Sequence, residues 1–212
     1  MKIKKFVFNP IQVNTYVVYD ETNECVVIDA GCYSENERQE LMSFLEQNNL
    51  KPIRVLNTHL HIDHILGNTL LFEKYNLLPQ ANKEDDFLLK QAVFFATSLG
   101  MSLDKDSPKI GEYLSENDIV KFGNSELKVI HVPGHSPGSI VFYNEKQNFL
   151  FAGDVLFKGS IGRTDLPSGD YDELINGIKN KLFVLPDDVI VYTGHGEQTT
   201  IGKEKNSNPF FK

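Results

Sequence analysis

Short runs of branched and aromatic residues alternate along this chain with longer amphipathic stretches, and the two periodicities divide it into strands and helices. Residues 1–30 read as three strands, Ile3 to Phe8, Thr15 to Tyr19 and Cys25 to Asp29, with turn residues at Asn9-Pro10 and at Asp20 to Asn23. Ser34 with Glu37 three positions on is a helix-start signature, and Leu41, Phe44 and Leu45 predict one buried face for a helix reaching about Gln47. Pro52 introduces a further strand, Ile53 to Asn57. Beyond a polar break, the spacing of Ile65, Leu66, Thr69, Leu70 and Phe72 predicts a helix to Tyr75, and another is expected over residues 82–100, ending at Gly100. Met101 to Ser107 reads as a polar loop of the kind that borders a site. Strands dominate from Ile119 to Ala152, a last helix runs from about Tyr171 to Leu182, and a final strand covers Val189 to Thr193. This order of strands and helices repeats weakly in the two halves.

The polar break is where the chemistry concentrates. Thr58 to His64 reads T-H-L-H-I-D-H, which places His59, His61, Asp63 and His64 together in a chain with only six histidines in 212 residues. On a strand-to-helix loop, residues two apart can point the same way, so His59 and His61 can share one cation while Asp63 and His64 face a second. Imidazole and carboxylate together suit zinc, manganese or iron better than calcium or magnesium. Three further strand-like runs each deliver one more ligand type beside a glycine: His135 in H-V-P-G-H-S-P-G, Asp154 in F-L-F-A-G-D-V and His195 in Y-T-G-H-G. Glycine permits the close backbone approach that such a delivery needs. Together these elements would complete a dinuclear site. His131, near the end of its strand, reads as a structural histidine.

From the N-T-Y and D-A-G stretches near the start, through T-H-L-H-I-D-H, P-G-H-S-P-G-S and A-G-D, to G-H-G, the chain resembles the metallo-β-lactamase superfamily. Within that superfamily it is most similar to the short bacterial glyoxalase II-like (type II) hydrolases, whose G-S-I-G-R-T-D-L-P loop it reproduces. The resemblance implies an α/β fold, the αββα four-layer sandwich, formed by a single domain over residues 1–212 with the metals at one edge. It implies His59, His61 and His135 for a first divalent metal, Asp63, His64 and His195 for a second, most often zinc with iron or manganese as alternatives, and Asp154 as the bridge. Water held by Asp63 and Asp154 would attack the carbonyl of a small acyl thioester, such as a hydroxyacylglutathione. Arg163, on the loop over residues 158–170 after the bridging aspartate, offers a planar fork for a substrate carboxylate, although Asp165 could brace it instead. The separate carboxyl-terminal helical domain of true glyoxalase II does not follow here. A rival class in the same superfamily, the persulfide dioxygenases, shares H-x-H-x-D-H and G-R-T-D but uses one iron held by the counterparts of His59, His135 and Asp154. The G-H-G at His195 favours hydrolysis.

Composition narrows the setting. A net charge of -8 argues against a nucleic-acid surface, which needs a basic patch. No apolar run reaches membrane-spanning length, and the amino terminus lacks a signal-peptide core, so a cytoplasmic protein is expected. The two cysteines, Cys25 and Cys32, build no disulfide framework and read as free thiols outside the chemistry.

Overall fold

The computed structural model describes residues 1–103 and 106–212, so the loop expected over residues 101–107 lies partly outside the described residues. Alternation decides its first strands: along β1 (Lys2–Phe8), Phe6 and Phe8 turn inward while Lys2 and Lys4 stay outside, Lys4 resting over the Phe6 ring. β1 pairs antiparallel with β2 (Val13–Tyr19), and β2 with β3 (Glu24–Ile28). Helix α1 (Glu35–Gln47) starts as expected, with Ser34 and Glu37 forming a capping box. It then leads to β4 (Lys51–Leu56), parallel to β3. Leu41 and Leu45 of α1 bury against Val17, Val27 and Val55 of this sheet, joined by both cysteines.

The helix expected from Ile65 to Tyr75 is two helices, α2 (Ile62–Ile65) and α3 (Asn68–Tyr75). Gly67 parts them: its N–H donates to the Ala30 carbonyl at 2.6 Å, and a Cβ there would come within 2.5 Å of Cys32 Sγ. Tertiary contact overrides helical periodicity at this point, and it moves Asp63 and His64 from the loop onto a helical turn. β5 (Pro79–Ala81) follows, too short to register as a periodic run. The helix expected over residues 82–100 is likewise broken, into a 3-10 turn at Lys83–Asp85, α4 (Asp86–Leu89) and α5 (Ala92–Ser98). The fully buried Asp85 carboxylate is turned inward to accept the Leu60 N–H at 3.1 Å, while Leu88, Ala92 and Ala96 pack on Leu60, Ile62 and Ile65. β6 (Glu112–Tyr113) closes a six-stranded sheet in the order β1 to β6.

The second sheet is built from β7 (Ile119–Phe122), β8 (Ser125–His131), β9 (Ile140–Asn144) and β10 (Phe149–Gly153). A small hairpin, β11 (Leu156–Phe157) with β12 (Ser160–Ile161), and helix α6 (Tyr171–Gly177) come next. β13 (Ile190–Thr193) then pairs parallel with β10, and β14 (Thr199–Thr200) leads into α7 (Ile201–Ser207). The sheet order is β14-β13-β10-β9-β8-β7. Each sheet thus joins an antiparallel meander to a parallel crossover, which is the repeat visible in the sequence. The chain forms two compact units, Met1–Tyr113 with Lys121–Ser125, and Leu114–Val120 with Glu126–Lys212. In the second, α6 lays Leu174 and Ile175 against Val141, Leu150 and Val191. No helix among the described residues is long and apolar enough to cross a membrane.

Asp20 fastens the tip of the β7–β8 hairpin within the first unit. Its carboxylate accepts from Thr22 N and Oγ1, Asn124 N and Ser125 Oγ. Burial alone would raise its pKa, but these bonds together outweigh burial and bring it from 3.8 down to about 2. The native state therefore gains stability from the ionised form above about pH 4 and loses it as pH falls toward about 2. Asp20→Asn is expected to cost roughly 2 kcal/mol near neutrality. In urea titrations, its deficit relative to wild type should shrink as pH is lowered through that window; a pH-independent deficit would contradict this account.

Candidate metal centre

In the first unit, side chains from four elements pin the backbone of the motif. Asn57 Nδ2 donates to the His64 carbonyl at 2.9 Å, Asn9 Nδ2 to the Asp63 carbonyl at 3.0 Å, and Leu60 N to Asp85. Asn68 Nδ2 in turn donates to Asn57 Oδ1 at 3.0 Å. The imidazoles are gathered closely, with ring centroids 4.8 Å apart for His59 and His61 and 4.0 Å for His59 and His64. Their orientation follows from Asp29, 2 % exposed at the end of β3. Asp29 Oδ1 accepts from Thr58 N at 2.7 Å, and Oδ2 accepts from Thr58 Oγ1 at 2.7 Å and lies 3.1 Å from His64 Nδ1. The Thr58 hydroxyl proton is thereby committed, so His59 Nδ1, 3.1 Å from that oxygen, is the donor of their hydrogen bond. His59 thus keeps Nε2 as its lone-pair nitrogen, and His64 Nε2 lies 3.5 Å from Asp63 Oδ2.

In the second unit, glycines with left-handed backbone introduce the ligand types at strand ends, Gly134 at φ 122° before His135 and Gly153 at φ 50° before Asp154. His135 Nδ1 donates to the Arg163 carbonyl at 2.8 Å, which leaves its Nε2 as acceptor, 3.6 Å from Asp154 Oδ2. His195 Nε2 lies 3.5 Å from the same oxygen. Backbone crowds this carboxylate into place: a Cβ on Gly194 would sit 2.1 Å from Asp154 Oδ1, and one on Gly162 would sit 1.8 Å from the Asp154 carbonyl. These separations fit a metal. A tetrahedral ion with nitrogen and oxygen ligands at about 2.0–2.1 Å has ligand-to-ligand edges of about 3.3–3.4 Å, and the three nitrogen-to-oxygen distances of 3.5, 3.6 and 3.5 Å lie just above that.

All seven expected ligands and Arg163 are thus placed, His59, His61, Asp63 and His64 in the first unit and His135, Asp154, Arg163 and His195 in the second. Arg163 forms a two-toothed pair with Asp165, both bonds 2.8 Å, at side-chain exposures of 60 % and 70 %. The guanidinium holds the Asp165 carboxyl down to about 2. Lys158 pairs with Glu197, and Lys205 with Asp187. His131 is structural, its Nε2 donating to the Pro137 carbonyl at 2.8 Å. Burial pushes the thiols of Cys25 and Cys32 up to about 12, which keeps both protonated and unreactive. The sequence reading assigned no role to Asp29 or Thr58, nor to the Arg163 carbonyl; the D-A-G stretch was the visible signal for the first.

An α/β chain with two sheets, whose strand ends and adjoining turns carry these histidines and aspartates, is a metallo-hydrolase in class. The chain belongs to the metallo-β-lactamase superfamily, whose family model matches residues 8–195. It is 36 % identical to hydroxyacylglutathione hydrolase GloC of Haemophilus influenzae, over 99 % of this chain and 98 % of that protein. Among solved structures, the BLEG-1 B3 metallo-β-lactamase is 35 % identical with a TM-score of 0.87, covering 100 % of both chains. TTHA1623, solved in a di-iron-bound form, has the same identity and TM-score and covers 98 % of this chain and 99 % of that one.

Asp29→Asn tests the orientation network with little backbone disturbance, because asparagine tolerates the left-handed conformation that Asp29 adopts at φ 52°. Its amide would set N–H groups against donors. Metal affinity measured by competition with a chelator should fall roughly 10- to 100-fold. Unchanged affinity would show that His64 is held by other means.

Proposed function

We propose that the chain is a thioester hydrolase with a dinuclear centre, in which His59, His61 and His135 hold one divalent ion, Asp63, His64 and His195 hold the other, and Asp154 bridges them. The observation that carries this reading is one carboxylate oxygen, Asp154 Oδ2, approached by His135 Nε2 at 3.6 Å and His195 Nε2 at 3.5 Å, as a bridge between two ions requires. Zinc suits this donor set, as do iron and manganese. Bound there, the pair supplies Lewis acidity toward the acyl oxygen and an acidified water.

The remaining work belongs to the chain. The carboxylates of Asp63 and Asp154 accept the water's hydrogens and aim its lone pair at the acyl carbon. Asp29, through Thr58, holds His59 in the tautomer that leaves Nε2 free to ligate, and the Arg163 carbonyl does the same for His135. Arg163, exposed and paired with an exposed aspartate, exchanges Asp165 for a carboxylate of the substrate. Hydroxyacyl thioesters of glutathione or a related small thiol fit this reading, and the 36 % identity to a protein named hydroxyacylglutathione hydrolase supports it. A net charge of -8 speaks against nucleic acid as the substrate, and a cytoplasmic setting accords with it.

Two substitutions test the proposal. His195→Ala is expected to slow thioester hydrolysis at least about a hundredfold, roughly 2.7 kcal/mol of barrier, in protein carrying two metals per chain and with oxygen excluded. Consumption of oxygen with a persulfide, one iron per chain and a near-silent His195→Ala would replace the hydrolase by a dioxygenase. Turnover of a β-lactam without turnover of thioesters would replace the substrate. Arg163→Ala should lower kcat/KM for carboxylated thioesters by about 1.5–3 kcal/mol, the scale of a charge-assisted hydrogen bond, with metal content unchanged. Equal kcat/KM across several such thioesters would remove Arg163 from the substrate site.

A further inference from the structure

Glu204, on α7, is fully buried, and the partners of its carboxylate are all neutral donors. Oε2 accepts the Gly159 N–H at 2.8 Å and Asn208 Nδ2 at 2.9 Å, and Oε1 accepts the Thr199 hydroxyl. Asn208, 1 % exposed, also donates to the Ser160 carbonyl at 3.0 Å. Glu204 and Asn208 therefore grip the turn of the β11–β12 hairpin from both sides of its backbone, one taking an N–H and the other giving to a C=O. Removing a carboxylate from water is costly, and dispersion contacts between apolar side chains would fill the same space without that cost. What apolar contacts cannot supply is direction, and direction matters here because of what the hairpin leads to. β11 begins two residues after Asp154. β12 ends at Ile161 and is followed by Gly162, whose missing side chain lets the backbone lie against the Asp154 carbonyl and His135 Cβ, and the next carbonyl, of Arg163, orients His135.

We propose that Glu204, assisted by Asn208, is a positioning residue of the site: it bolts the β11–β12 hairpin so that the following loop holds His135 through the Arg163 carbonyl and aims the Arg163 side chain. The part concerning Arg163 rests on the thioesterase reading above; the part concerning the hairpin does not. In Glu204→Gln the side chain keeps its size, but its amide N–H groups meet donors. Asn208→Ala removes the second grip and serves where Glu204→Gln folds poorly.

The test uses the full chain loaded with metal. Hydrogen exchange should quicken at least about tenfold in peptides spanning residues 156–163 and stay unchanged in peptides covering residues 59–64. With a glutathione thioester as substrate, kcat/KM should fall about tenfold in Glu204→Gln. In the Arg163→Ala background, which lacks the side chain but keeps the carbonyl that holds His135, the same substitution should cost less than in the wild type, and the remaining loss should appear as weaker metal retention. Normal exchange over residues 156–163 in both variants would overturn the proposal. If the wild-type protein hydrolyses no thioester, the thioesterase reading fails while the exchange measurement still decides the role of Glu204.

Discussion

Asp29 is a carboxylate almost wholly removed from water, and such a group persists only when donors replace the solvent it has lost. Its oxygens find the Thr58 N–H and the Thr58 hydroxyl, and His64 Nδ1 lies 3.1 Å from one of them. The bonds that satisfy the carboxylate also commit the protons of the groups around it, and through the Thr58 hydroxyl the commitment reaches His59. The His59 imidazole is thus left with its lone pair on Nε2 by the hydrogen-bond needs of one buried acid. The left-handed backbone at Asp29 is part of the same arrangement, since it turns the chain out of β3 while the side chain stays beneath the motif.

The second unit reaches the same end by steric means. A backbone carbonyl accepts from His135 Nδ1, and that carbonyl is where it is because Gly162 lets the chain pass within contact of Asp154. Gly194 does for the Asp154 carboxylate what Gly162 does for its carbonyl. A methyl group at Gly162 would overlap the Asp154 backbone, which side-chain adjustment cannot absorb, and one at Gly194 would meet the Gly153 backbone as well as the Asp154 carboxylate. A hydrogen-bond network tolerates conservative exchange at some cost, whereas a contact of this kind tolerates none. The first unit's candidate ligands therefore depend on exchangeable hydrogen bonds, and the second unit's on steric contact.

This difference also explains what could be read from the sequence. The strands, the capped helix from Ser34 and the ligand residues themselves show in local pattern, because each depends on periodicity, a cap or a rare residue at a regular spacing. The breaks at Gly67 and beyond Asp85 do not, since both arise where a distant partner outcompetes helical spacing: the Ala30 carbonyl in one case, the Leu60 N–H in the other. β5 and β6, of three and two residues, are defined by their neighbours in the sheet and carry no periodicity of their own. The Arg163 carbonyl is invisible for a deeper reason. A main-chain acceptor belongs to every residue type, so no choice of amino acid marks it, and attention to the Arg163 side chain passes over what the same residue does through its backbone.

On the proposed reading, Arg163 joins substrate recognition, through its side chain, to the orientation of His135, through its carbonyl. His59, His64 and His135 are 1, 0 and 2 % exposed, while the Arg163 side chain is 60 % exposed and pairs with an aspartate still more open to water. A pair of that kind contributes little to stability, so exchanging Asp165 for another carboxylate costs little. Its partner can change without disturbing the fold, but the carbonyl of the same residue cannot move without turning His135. The loop is consequently adjustable at its side chain and rigid at its backbone. On the proposed reading, substrate preference shifts with residues 163 and 165, while a change that moves the loop as a whole turns His135 as well.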